Sequence, residues 1–134
     1  MTLDQAIYKE LAADSTVTGL LGDRIFRLRA PEGEPPPYAV FFRVDDPQAH
    51  SCGNDAGPYS PLYQVSVYGE TQAEVDQTAD AIISVLRDAS GVIGGDGGYT
   101  VKRILYEGKQ DIADDPAGLK GAILEFEILH DAQA

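Results

Sequence analysis

His50 and Cys52 stand two residues apart in a stretch that also carries Asp45, Asp46, Asn54 and Asp55. Side chains of these types bind metal ions or move protons, so this is where site chemistry would be sought first. The spacing does not support it. Zinc sites take three or four ligands from a fixed scaffold, often paired cysteines or two histidines one helical turn apart, and this stretch offers one of each. The four oxygen-bearing residues lack the alternate positions and closing glutamate of a calcium-binding EF-hand. A nucleophile with a neighbouring base is no better supported: there is no Gly-x-Ser-x-Gly elbow, and the second histidine, His130, lies near the end of the chain. Two histidines and one cysteine leave few catalytic combinations. Residues 91–98 (GVIGGDGG) could in principle cradle a phosphate. They follow a helical pattern and precede a strand, the reverse of the required context, and no Gly-Lys-Ser/Thr is present, so a tight turn is expected. Glu125 and Glu127 project from one side of a strand as paired carboxylates, but glycoside hydrolysis also needs an aromatic-lined cleft and the chain has no Trp. The pattern predicts no catalytic residue, no cofactor and no metal. Glu125 and Glu127 then read as a solvent-facing strand face or as the lining of a channel or subunit interface.

The elements that would carry these residues can be read from periodicity. Thr2 and Gln5 have the form of a capping box, and Leu3, Ala6, Ile7 and Leu11 follow at helical spacing, predicting a helix over residues 3–12. Asp14 or Ser15 would cap a shorter turn of helix carrying Val17, Leu20 and Leu21 and ended by Gly22. Residues 24–29 predict a short strand, and residues 30–37 (APEGEPPP) a connector. Residues 38–44 (YAVFFRV) predict a strand with Tyr38, Val40, Phe42 and Val44 on one face. Residues 45–60 are polar and aperiodic, a long loop of the kind that in a compact domain is usually either functional or mobile. Residues 61–68 predict a strand with Tyr63, Val65 and Val67 on its apolar face. Thr71 and Glu74 open the clearest helix, whose stripe is Val75, Ala79, Ile82, Ile83 and Leu86. Residues 99–107 predict a further strand, residues 109–118 a turn-rich stretch, and residues 121–130 a last strand with Leu124, Phe126 and Ile128 facing inward. Together these predict one α+β domain over residues 1–134: a mostly antiparallel sheet of four to five strands in a single layer, with two main helices packed on one face.

Composition narrows the function further. With 22 Asp and Glu against 10 Lys and Arg the formal charge is −12. Holding nucleic acid by neutralising phosphates needs clustered Lys and Arg, and an anionic membrane needs the same, so both are disfavoured. The single cysteine forbids an intrachain disulfide and fits a reducing compartment. No signal peptide or membrane span is expected; the protein reads as soluble and made in the cytoplasm.

Several segments, taken in order, resemble the tail completion or tail terminator proteins of long-tailed bacteriophages. They are the opening helix with LAADSTVTGLLGDRIFRLRAPEG, then PPPYAVFFRV, a loop with HSCGNDAG, and YQVSVYGETQAEVDQTADAIISVL. The family pattern falls on residues 21–26, on Pro37 and Tyr38, and on residues 63–86; it covers the first two-thirds of the chain well and the last strands by order only. Pro35–Pro37 and the acidic run 111–115 depart from it. The resemblance implies a structural virion protein at the head-proximal end of the tail, without catalysis or cofactor. It implies a homomeric, six-fold ring that caps the tail tube, stops its polymerisation and docks on the head connector or stopper protein. DNA would pass through the lumen without specific binding, and an acidic wall would repel its phosphates. On this view Glu125 and Glu127 are candidates for the lumen, and Asp45, Asp46, His50, Asn54, Asp55 and Tyr59 for a subunit or partner interface. A head-completion or neck protein of the same virion is the alternative, and a small enzyme or ligand-binding domain using His50 and its loop the more distant one.

Overall fold

Thr2 opens the first helix through reciprocal pairing with Gln5. In a computed structural model that describes residues 1–45, 59–112 and 118–131, Thr2 Oγ1 accepts from the Gln5 amide at 3.1 Å and Gln5 Oε1 accepts from the Thr2 amide at 2.9 Å. Helix α1 (Leu3–Ala12) buries Leu3, Ala6, Ile7 and Leu11, the stripe that a 3.6-residue period places on one side. Asp14 caps α2 (Ser15–Leu21), accepting from the amides of Thr16 and Val17 at 3.0 Å each. Helix α3 (Gln72–Leu86) starts at Thr71, whose Oγ1 accepts from the Glu74 amide at 3.2 Å. The Glu74 carboxylate reaches past the cap to the amide of Glu70 at 3.0 Å, so one half of that capping box forms and the other is displaced by a residue.

Five strands make the main sheet: β1 (Ile25–Arg27), β2 (Tyr38–Asp45), β3 (Leu62–Gly69), β6 (Arg103–Ile112) and β7 (Lys120–Leu129). Their order is β1-β2-β3-β7-β6, antiparallel throughout except for the parallel pair β1 and β2. Two short strands, β4 (Gly91–Ile93) and β5 (Tyr99–Val101), pair as a separate hairpin. The helices cover one face of the main sheet, where Phe41, Tyr63, Val67, Leu124 and Phe126 meet Ile7, Leu11, Val75 and Ile82 in a single core. The α+β architecture is the one the sequence predicts: α1 and α3 are the two main helices, and α2 is the shorter turn of helix between α1 and the sheet.

Four local details alter or add to what the sequence predicts. First, Tyr38, Val40 and Phe42 share one face of β2 as expected, and it is the outer one. The core takes Ala39 and Phe41, each 1% exposed, while Tyr38, Val40 and Phe42 turn to the face opposite the helices. This strand is apolar on both sides, and a period of two cannot say which side is inward. The outer side is apolar because the connector after β1 crosses it: residues 28–34 and Leu119 wall a groove over Val40, Phe42, Ser66 and Tyr68. Val40 and Ser66 fall to 7% and 5% exposure there. Second, the glycine-rich run is a hairpin and its turn, with Gly91–Ile93 in β4. Third, the strand expected over residues 99–107 divides into β5 and β6, and β6 continues to Ile112 into the stretch expected to be turns. Fourth, the strand expected over residues 24–29 shortens to Ile25–Arg27, because the chain turns sharply at Leu28.

Candidate functional site

Glu125 and Glu127 alternate with Leu124, Phe126 and Ile128 along β7, as expected, so the core side takes the apolar residues and the glutamates look outward. A bulge at Tyr106/Gly108 in β6 adds a third carboxylate, Glu107, to this neighbourhood. Burial in the first place, then the hydrogen bond and charge of Glu107, push the Glu127 carboxyl above its usual range. Like charges gathered on a half-buried strand face raise the cost of ionising each other. Further along the same face the surface becomes aromatic: Tyr38 lies against Phe26 and Tyr68, with ring centroids at 6.3 and 5.1 Å. The outer sheet face is therefore acidic at one end and aromatic at the other.

The loop candidates divide. Asp46, His50, Asn54 and Asp55, with Cys52, lie outside the described residues, and Asp45 is the last residue of β2, opposite Leu62 beyond a register shift. Tyr59 is engaged internally. It forms an isolated bridge with His130, with amide-to-carbonyl distances of 2.7 and 3.0 Å, and its ring stacks on the imidazole at 5.2 Å. His130 is 7% exposed. Its Nδ1 lies 2.9 Å from the Asp131 carbonyl and 3.4 Å from the Tyr99 hydroxyl, and Tyr99 meets the ring edge-on. This histidine fastens the end of β7 to its neighbours. The glycine run likewise spends its amides inside the chain: Gly94 donates to Glu10 Oε1 at 2.9 Å and Gly98 to the Gly95 carbonyl at 3.0 Å, as a turn would.

Two clusters escape a sequence reading. Asp4, Arg27, Arg43 and Tyr63 converge where α1 crosses β1, β2 and β3. Arg27 Nη2 meets Asp4 Oδ2 at 2.5 Å, the Tyr63 hydroxyl donates to Asp4 Oδ1, and Arg43 Nη2 donates to the Tyr63 hydroxyl at 2.9 Å. Glu107 joins Glu125 and Glu127 only because of the bulge. Neither has a local signal, since the partners are distant in sequence. Among the described residues no three His, Cys, Asp or Glu side chains are grouped to hold a metal ion, and no helix is long and apolar enough to cross a membrane.

The fold has a close counterpart in a chain from the virion of a native gene transfer agent particle. The two share 17% sequence identity with a TM-score of 0.78, over 97% of this chain and 95% of that one. No curated protein matches the sequence. The profile of the family described as "Tail completion protein gp17" matches residues 5–131. That span takes in all but the first two residues of α1, the whole of α2 and α3, and every strand from β1 to β7, including the last strands, where the resemblance by motif was weakest. The chain thus belongs to the gp17 family of tail completion proteins and is a structural protein of the virion tail.

Proposed function

We propose that the protein is a tail terminator: copies assemble into a homomeric ring, six-fold as the family resemblance implies, that caps the tail tube, halts its polymerisation and joins it to the head-proximal connector. The observation that carries this reading is family membership over residues 5–131. The physical picture supports it. A rigid sheet-and-helix core holds surfaces in fixed register, and an outer sheet face concentrates Glu107, Glu125 and Glu127 where no basic residue faces them across the β7 pairings. We assign that face to the ring lumen, where negative charge keeps passing DNA from adhering. The role needs no catalysis, no cofactor and no membrane.

The test is assembly. Purified protein is mixed with tail tube protein polymerising in vitro and followed by negative-stain imaging and mass photometry. The expected result is rings at one end of each tube and tubes that stop growing when the protein is added. Tubes that elongate unchanged and carry no ring would overturn the proposal. Immunogold labelling of intact virions separates the terminator from a neck protein, with label expected at the tube end and not within the head vertex.

A further inference from the structure

Two features of the described residues are unfavourable within one copy of the chain. At the end of β1 the Arg29 amide donates to the Arg27 carbonyl at 2.9 Å, and the Leu28 amide donates to Phe41 at 2.9 Å. This three-residue turn holds Leu28 at φ +73, a left-handed conformation that residues other than glycine seldom adopt. The strain gains no burial, since Leu28 is 63% exposed. The second feature is Gly19, in the interior of α2, where glycine is a poor helix former. A Cβ there would meet nothing within 4 Å, so no contact among the described residues requires the glycine. It opens instead onto a groove of about 670 Å³ between α2 and α3, lined also by Leu20 and Ala81 and bordered by Asp14, Asp80 and Ser84.

The two features fit each other. One is an exposed aliphatic knob and the other an open groove where Gly19, Leu20 and Ala81 lie among Ser15, Thr16, Gln77 and the bordering polar residues. Beside the knob, Arg29 is exposed and forms no ion pair among the described residues; beside the groove, Asp80 is exposed and accepts no hydrogen bond among them, its charge felt within the chain by Lys109, which is itself hydrogen-bonded to Asp76. We infer that Leu28 of one copy seats in the α2–α3 groove of the next, over Gly19, with Arg29 set against Asp80, and that this contact repeats around the ring. The inference rests on the ring proposed above and names the surfaces that build it. Knob and groove are different parts of the chain, so the contact is heterologous, the kind that closes into a ring or continues as a filament. A strained, exposed leucine and a helix-interior glycine then have one shared cause: both are optimised for the assembled state.

Variants of the full chain separate the possibilities, read by mass photometry and by imaging on tube ends, with circular dichroism to verify folding. Leu28→Gly accepts the positive φ, so its thermal midpoint should hold or rise while ring yield falls at least about tenfold, the loss that ~1.4 kcal/mol per contact would give. Gly19→Leu fills the groove and should assemble as poorly with its helix content intact. Mixing Leu28→Asp with Gly19→Leu leaves one sound groove and one sound knob, so heterodimers should form but no closed ring. Arg29→Glu should weaken assembly, and Arg29→Glu combined with Asp80→Arg should recover it. Wild-type ring yields from Leu28→Gly and Gly19→Leu would overturn this contact and leave the ring intact as a reading. A wild-type chain that forms rings neither alone nor on tubes would overturn both.

Discussion

Tyr63 shows at the residue scale how this core tolerates polarity. Its side chain is 1% exposed, and its hydroxyl is shared between the Asp4 carboxylate and the Arg43 guanidinium. Burial first, and the hydrogen bond to Asp4 second, push the phenol above the usual tyrosine range, against the opposing pull of Arg43. A folded value raised in this way contributes stability that is fully present below the unfolded tyrosine value of about 10 and is lost as pH rises through the folded value. Tyr63→Phe keeps the ring but removes the link, leaving Asp4 with Arg27. It should cost about 1–2 kcal/mol at pH 7 by urea denaturation, and its stability should fall less steeply above pH ~10 than that of the wild type. Matching alkaline slopes would show that the phenol ionises alike in the folded and unfolded chains. Glu127 obeys the same linkage with the opposite consequence at neutral pH. Its carboxyl is raised by burial and by Glu107, so the folded state is penalised at pH 7 and relieved as pH falls through the raised value, completely so below the unfolded value near 4.5. Glu127→Gln should therefore stabilise the protein at pH 7 and make little difference at about pH 4. None of these partnerships was legible in the sequence, because Asp4 and Tyr63 are 59 residues apart and Glu107 reaches Glu127 through a bulge.

At the element scale, legibility followed the range of the signal. Helices α1 and α3 were readable because a cap and an apolar stripe are both local, and β3 and β7 because alternation there marks one wet and one dry side. Strand β2 was readable as a strand but not in its orientation, since Val40 and Phe41 are both apolar and only the crossing connector decides which side is called inner. The β4–β5 hairpin escaped because strands of three residues show no period, and one glycine opens β4 while four more lie between the strands. Its docking on α1 is steric. A Cβ on Gly94, at φ +86, would stand 2.8 Å from Ala6 Cα, whereas one on Gly95, at φ +80, would meet nothing within 4 Å. Both substitutions to alanine incur the left-handed penalty, and only one adds a backbone collision. Gly95→Ala should cost about 1 kcal/mol and Gly94→Ala about 2–3 kcal/mol by denaturant titration. Equal costs would mean that the hairpin is free to lift from α1 and that the Glu10 contact to the Gly94 amide does not hold it.

On the scale of the whole molecule the question is what −12 accomplishes. The loop candidates of residues 46–55 lie outside the described residues, so the charged feature that both sequence and structure expose is the outward face of β7, enlarged by Glu107. Solubility would be served by carboxylates anywhere on the surface, while exclusion of DNA from a lumen depends on where they stand, because the field of an exposed charge decays within about 10 Å at 0.1 M salt. Two charge reversals of equal size tell these apart. Glu125→Lys with Glu127→Lys and, as a control, Asp23→Lys with Asp96→Lys each raise the formal charge from −12 to −8, the control acting at exposed positions in the α2–β1 and β4–β5 turns. If the β7 face lines the lumen, rings carrying the first pair should retain linear double-stranded DNA in a mobility-shift assay at about 0.1 M salt and release it steeply as salt rises, since each phosphate contact adds about 0.9 to the log–log slope. Rings carrying the control pair should bind no more DNA than the wild type. Retention by both pairs would assign the effect to net charge, and retention by the control pair alone would put the lumen on the helical side of the sheet, with the glutamates of β7 turned to the outside of the ring.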